Sequence, residues 1–161
     1  MRKETRLQRI WMILAILMTL MIWFNSSLDA NLSSQQSGWV TSIVGNLLHI
    51  VNIEVAASDL SFYVRKTAHF GQFFILGMLW FETFFSKRKQ FKHAVKLTLP
   101  IGTLTAVLDE TIQLFTPGRA FMVSDIFIDV FGLIMGVLVL ITLHILWIKL
   151  IEKKQRNTPI T

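Results

Sequence analysis

Apolar residues run along this chain in four long blocks separated by short polar stretches, and the blocks organise the sequence. Ile10 to Leu28 contains no charged residue and matches the ~20 apolar residues a helix needs to cross a bilayer core. Ala68 to Phe85 carries His69 and Glu82, and Leu97 to Phe115 carries Asp109 and Glu110. Ile126 to Ile148 carries Asp129 near its start. The pattern predicts four transmembrane helices over about 10–28, 68–85, 97–115 and 126–148. The third is the least apolar, and its Pro100 and Gly102 are tolerated where neighbouring helices satisfy freed backbone groups. Residues 31–37 are polar and read as an outer loop. Beyond them Trp39, Val40, Ile43, Val44, Leu47, Leu48 and Val51 recur at helical spacing. An amphipathic helix is expected over about 38–53, on the outer membrane surface or on the outer end of the bundle. His49 falls on its polar face. The expected fold class is all-α: one polytopic membrane domain with an extracytoplasmic amphipathic helix.

Composition agrees, with 53% hydrophobic and only 16% charged residues, well to the apolar side of a soluble domain. The absence of cysteine removes disulfides and thiolate metal sites. A net charge of +6 raises a nucleic-acid partner, but the basic residues sit at the ends of apolar blocks and form no stripe, so that class is excluded. Their distribution instead orients the chain. Arg2, Lys3, Arg6 and Arg9 precede the first block; Lys87, Arg88, Lys89, Lys92 and Lys96 separate the second and third; Lys149, Lys153, Lys154 and Arg156 follow the fourth. The positive-inside rule then places both termini of this multi-pass membrane protein in the cytoplasm. Arg65, Lys66 and Arg119 fall on the opposite side and require another explanation. The first block lacks a small-x-small cleavage site and is expected to be a retained helix.

Depth follows from a rise of about 1.5 Å per residue. Counting from Lys96 places Asp109 and Glu110 about 20 Å into the membrane, in the outer leaflet. Counting from Lys87 and Lys149 places His69 and Asp129 about 27 and 30 Å along their helices, at the outer boundary. Lys66, His69, Asp109, Glu110, Gln113, Arg119, Asp125 and Asp129 therefore share one layer. Helical phase supports this: Lys66 and His69 are i, i+3, Asp109 and Gln113 are i, i+4, and Asp125, Asp129, Gly132 and Gly136 form one stripe. Gly132 and Gly136 make a small-residue face that lets another helix approach closely, so the aspartates point into the bundle. Glu82 reads as an inner-interface residue that snorkels to water. His93 and His144 lack acidic neighbours in the sequence and read as structural.

Intramembrane ionisable groups are usually functional, and this layer offers three chemistries. Lys66 and Arg119 can hold a phosphate or carboxylate, Arg119 bidentately, with Gln113, Asp125 and Asp129 completing the binding layer. His69, Asp109 and Glu110 can act as general acids or bases. A histidine among carboxylates can also coordinate a hard divalent cation, so the cofactor is open. No HExxH motif, glycine-rich phosphate loop or nucleophile elbow is present. The plain alternative is a polar network that orders the helices.

Three elements resemble the VanZ-like membrane proteins: residues 65–72 (RKTAHFGQ), 109–119 (DETIQLFTPGR) and 125–132 (DIFIDVFG). The family couples K-x-x-H, D-E-x-x-Q…P-x-R and D-x-x-x-N-x-x-G in that order. The matching positions are Lys66, His69, Asp109, Glu110, Gln113, Pro117, Arg119, Asp125, Gly132 and Gly136. Asp129 stands where the family usually has Asn, and Phe73 where Tyr is common, so roles needing an amide or a phenol there are not carried over. The resemblance implies a cell-envelope membrane protein. It points to lower susceptibility to teicoplanin-type lipoglycopeptides, through an outer-leaflet site that meets the lipid bilayer and a lipid-linked wall precursor or the lipoglycopeptide. The alternatives are a membrane-embedded hydrolase or transferase acting on lipid phosphates, and a structural or immunity protein.

Overall fold

The computed structural model describes residues 2–156. Five helices follow one another: α1 (Arg2–Ser27), α2 (Ala30–Ile50), α3 (Ala57–Arg88), α4 (Phe91–Leu114) and α5 (Val123–Arg156). No strand occurs among the described residues. α3 packs against each of the other four helices. Lys66 meets Asp125 and Glu82 meets His144, so α3 and α5 run parallel. Trp23 reaches Thr105 and Ser26 reaches Asp109, so α1 and α4 also run parallel. α4 returns from α3 through a sharp corner at Lys89, whose left-handed backbone (φ 53°) closes α3.

The apolar blocks form helices, with polar side chains folded back onto them. Thr19, Thr83, Thr105 and Thr142 each donate to the carbonyl four residues earlier, which satisfies a hydroxyl without water. Pro100 lies inside α4 without ending it. The polar stretch 31–37, expected to be a loop, is instead the opening of α2. Asp29 caps that helix, its carboxylate accepting from Leu32 N at 2.8 Å, and Ser34 and Ser37 bond back to carbonyls one turn earlier. Capping and back-bonding supply partners that composition alone does not reveal. α2 packs on α3 at Gly45 and Leu60 and leaves Trp39, Ile43, Leu47 and Ile50 exposed.

Residues 6–27 of α1 and all of α5 are long and apolar enough to cross a membrane. Only 17% of the α1 window and 28% of the α5 window is buried, whereas a core helix of a soluble protein is mostly covered. Leu17, Phe24, Phe127 and Leu146 are among the exposed apolar side chains. α3 and α4 contain the second and third apolar blocks, but His69, Gln72, Glu82, Asp109 and Glu110 interrupt them, so composition alone does not qualify them as spans.

Two apolar clusters fill the bundle. Ile22, Phe73, Leu76, Ala106 and Leu133 form one, and Phe81, Phe85, Ala94 and Val137 the other. Phe73 is fully buried within the first cluster. His144 was expected to lack an acidic partner, yet its Nε2 lies 2.5 Å from Glu82 Oε1 and its ring 4.4 Å from that of Phe85. The two residues are 62 positions apart, and only the parallel packing of α3 on α5 pairs them. Glu82 is thus engaged by a neighbouring helix as well as lying near the inner basic cluster.

Glycine sets how closely α3 and α5 approach. A Cβ on Gly132 or Gly136 would strike the carbonyls of Phe70 or Phe74, and one on Gly77 would strike that of Leu133. Gly136→Val should therefore cost about 1–3 kcal/mol or more by overpacking. Gly71, whose Cβ would meet nothing within 4 Å, gives the contrast: Gly71→Ala should be neutral or stabilising by up to about 1 kcal/mol. Thermal unfolding in detergent measures both, and equal losses at the two positions would contradict this packing.

Candidate functional site

The closest gathering of the layer residues is His69 on α3, Asp109 on α4 and Asp129 on α5. His69 Nδ1 stands 3.4 Å from Asp129 Oδ1 and 3.9 Å from Asp109 Oδ2, and both aspartates are fully buried. Asp109 is held from two sides. Ser26 Oγ donates to Oδ1 at 2.5 Å and Gln113 Nε2 to Oδ2 at 3.2 Å. Among the described residues neither oxygen of Asp129 receives an aligned hydrogen bond, and His69 Nδ1 has no aligned partner. Ser26 belongs to the site although sequence reasoning passed over it; its signal was a hydroxyl at the outer end of the first apolar block.

Around this trio the other layer residues divide. Lys66 pairs with Asp125, which also accepts from Ser124 Oγ at 3.2 Å. Glu110 accepts the Met122 N–H at 2.8 Å through Oε2, while its buried Oε1 has no partner. A carboxylate there faces the positive end of α5. Arg119 does not pair with a carboxylate. Its Nε and Nη2 donate to the Leu28 and Asn25 carbonyls, each at 3.2 Å, and so clasp the end of α1. Thr116 Oγ1 donates to Ser26 O at 3.0 Å, and Ala30 N donates to Pro117 O at 3.2 Å. Gly118, at φ +71°, makes the turn that brings these groups to the α1–α2 corner.

Beside the trio opens a cavity of about 610 Å³. Its polar lining comes from the end of α1, the opening of α2, α3 and the α4–α5 turn: Asn25, Ser33, Ser37, His69, Gln72, and the cations Arg65 and Arg119. Its apolar lining comes from the later turns of α2 and the first turns of α3, including Trp39, Val40, Val44, Leu60 and Tyr63. Among the described residues neither arginine forms an ion pair with a carboxylate. Burial, and then the like charge of Arg65, pull the Arg119 pKa below its ordinary value, although a guanidinium stays protonated. Arg65 was an unexplained basic residue in the sequence; the fold makes it a wall of this cavity. Lys66, by contrast, is turned to Asp125.

The VanZ/LLP1 family model matches residues 11–147. The chain belongs to the VanZ/LLP1 family. That match covers α2 and most of the four longer helices, so the family relationship extends to the whole bundle. With its exposed apolar helices, this VanZ/LLP1 chain is a membrane protein of the VanZ type. No curated protein and no solved structure matches it. Gly132 and Gly136, read from sequence as a packing face, lie against α3 in this VanZ/LLP1 protein.

The Lys66–Asp125 pair is largely desolvated, with side chains 12% and 8% exposed. Lys66→Met leaves a buried unpaired carboxylate and should cost about 3–5 kcal/mol, whereas Lys66→Met with Asp125→Leu should recover most of that loss. Denaturant unfolding of the four members of this cycle gives the coupling. Additive losses would show that the two groups do not act as a pair.

Proposed function

We propose that this VanZ/LLP1 protein is a four-span protein of the bacterial cell envelope that binds the anionic head group of an outer-leaflet lipid or lipid-linked wall precursor. In this reading α1, α3, α4 and α5 cross the membrane in alternating directions, with both termini cytoplasmic. The basic residues in the first turns of α1, around the α3–α4 corner and along the end of α5 support that orientation. The observation that carries the binding role is the cavity. Two guanidinium groups, without carboxylate partners among the described residues, border a space lined on one part by polar side chains such as Asn25, Ser33, Ser37 and Gln72 and on another by Trp39, Val40, Val44 and Leu60. A lipid phosphate with its first chain carbons combines polar and apolar parts in the same way. Arginine is suited to such an anion because its planar fork donates two hydrogen bonds at once. Occupying a wall precursor, or altering its presentation, would lower susceptibility to teicoplanin-type lipoglycopeptides acting at the same face.

The trio of His69, Asp109 and Asp129 supports a second reading, in which the bound lipid phosphate is hydrolysed or transferred. The two carboxylates and the imidazole would then do acid–base work beside the anion, with Glu110 of α4, held by the Met122 N–H, as a further candidate. Comparing lipids and wall precursors in a deletion strain and its complemented parent separates the readings: a changed species favours turnover, and unchanged pools favour binding alone.

Arg65→Gln is the direct test of the binding role, because Arg119 also holds α1 in place. Purified protein in nanodiscs should bind an anionic lipid in preference to a zwitterionic one, and Arg65→Gln should weaken that binding by about tenfold, the value of one charged hydrogen bond. In a susceptible Gram-positive host the wild-type chain should raise the teicoplanin inhibitory concentration and Arg65→Gln should reduce the gain. Equal binding of both lipids by wild type and variant would remove the basis of the proposal.

A further inference from the structure

We propose that His69, Asp109 and Asp129 form a binding site for one divalent transition-metal cation of the Zn²⁺ or Mn²⁺ type. Their donor atoms come from three different helices and all lie within 4.8 Å of one another. The separations of 3.4 and 3.9 Å from His69 Nδ1 to the two carboxylates are close to what a small ion requires. Two ligands each about 2.1 Å from a tetrahedral ion stand about 3.4 Å apart. The carboxylate-to-carboxylate separation is at most 4.8 Å, so side-chain adjustments of about an ångström would bring the set onto an ion.

Asp129 supplies the independent observation. It is fully buried, neither oxygen receives a hydrogen bond, and both belong to a carboxylate facing His69 Nδ1, itself without an aligned partner. A buried carboxylate without donors is costly. The nearby cations are engaged elsewhere, Lys66 by Asp125 and Arg119 by the carbonyls of Asn25 and Leu28. A dication neutralises the two aspartates while the imidazole stays neutral and offers a lone pair. Asp109 is already oriented by Ser26 and Gln113, as ligating carboxylates commonly are. One imidazole in a set of three donors favours Zn²⁺ or Mn²⁺ over Mg²⁺ or Ca²⁺, which prefer oxygen alone. Three protein ligands also leave a coordination position open, and His69 lines the cavity through which an ion can arrive. The assignment stands whether or not the cavity receives a lipid.

The full chain in nanodiscs, stripped with EDTA, is titrated separately with Zn²⁺, Mn²⁺, Mg²⁺ and Ca²⁺ and passed over a desalting column. Metal content and Tm are then measured without any lipid ligand. Wild type should retain about one Zn²⁺ or Mn²⁺ per chain and melt at a higher temperature with metal than without. Asp129→Asn and His69→Gln should lose the retained metal and the metal-dependent rise in Tm. Ser26→Ala, which keeps all three ligands, should remain folded and bind about tenfold or more weakly. Folded wild type that retains no metal and shows no Tm rise would overturn the proposal in favour of a proton shared within the trio. Retention by Asp129→Asn at wild-type stoichiometry would overturn the ligand assignment, and binding of Mg²⁺ or Ca²⁺ alone would overturn the assigned metal class.

Discussion

The backbones of α3 and α5 touch because Gly77, Gly132 and Gly136 carry no side chain at the places where the opposing carbonyls of Leu133, Phe70 and Phe74 arrive. Close backbone approach at small residues is a main source of packing energy between apolar helices. Here it also sets the register. With Gly132 on Phe70 and Gly136 on Phe74, Lys66 falls on Asp125, His69 on Asp129 and Glu82 on His144. A slip of one helical turn, about 5.4 Å, would separate all three pairs together. The polar contacts at both ends of the helix pair thus depend on an apolar contact in its middle.

That register creates an electrostatic problem which the rest of the fold partly solves. Four carboxylates enter a region of low dielectric, where a charge without a partner is expensive. Asp125 is matched by Lys66, Glu110 by the Met122 N–H at the start of α5, and Asp109 by Ser26 and Gln113. α1 therefore contributes more than an apolar surface, because its last turn provides Ser26. The Thr116 to Arg119 turn keeps that last turn in place through the Ser26, Asn25 and Leu28 carbonyls. Asp129 is left without a donor, and Arg65 and Arg119 are left without carboxylates beside the cavity. A buried carboxyl group facing only His69, and two cations at a cavity wall, are the polar groups that the fold leaves least satisfied among the described residues.

Much of the layer was legible because its residues obey helical spacing. Lys66 with His69, Asp109 with Gln113, and Asp125 with Asp129 each fall on one face, and a constant rise per residue puts the three faces at similar depth. Ser26 was not found because a single hydroxyl ending an apolar block is common at membrane interfaces. The opening of α2 is not legible as helix because serine and asparagine mark both turns and capped helix starts. Glu82 and His144 were read separately, since nothing in a sequence says which of two distant helix faces will meet.

The sequence by itself determined that the chain is helical, that α1 and α5 suit a bilayer, and that ionisable groups cluster near one end of the bundle. These properties follow from local periodicity and composition, which the backbone of each helix expresses independently of its neighbours. Tertiary structure alone decided that Lys66 is occupied by Asp125 and that Arg119 clasps α1. It also decided that Arg65 borders a cavity and that Asp129 meets His69 without a donor of its own. The physical reason is that rotation and register between helices are fixed by where their backbones come closest, and those contacts join residues that lie far apart along the chain.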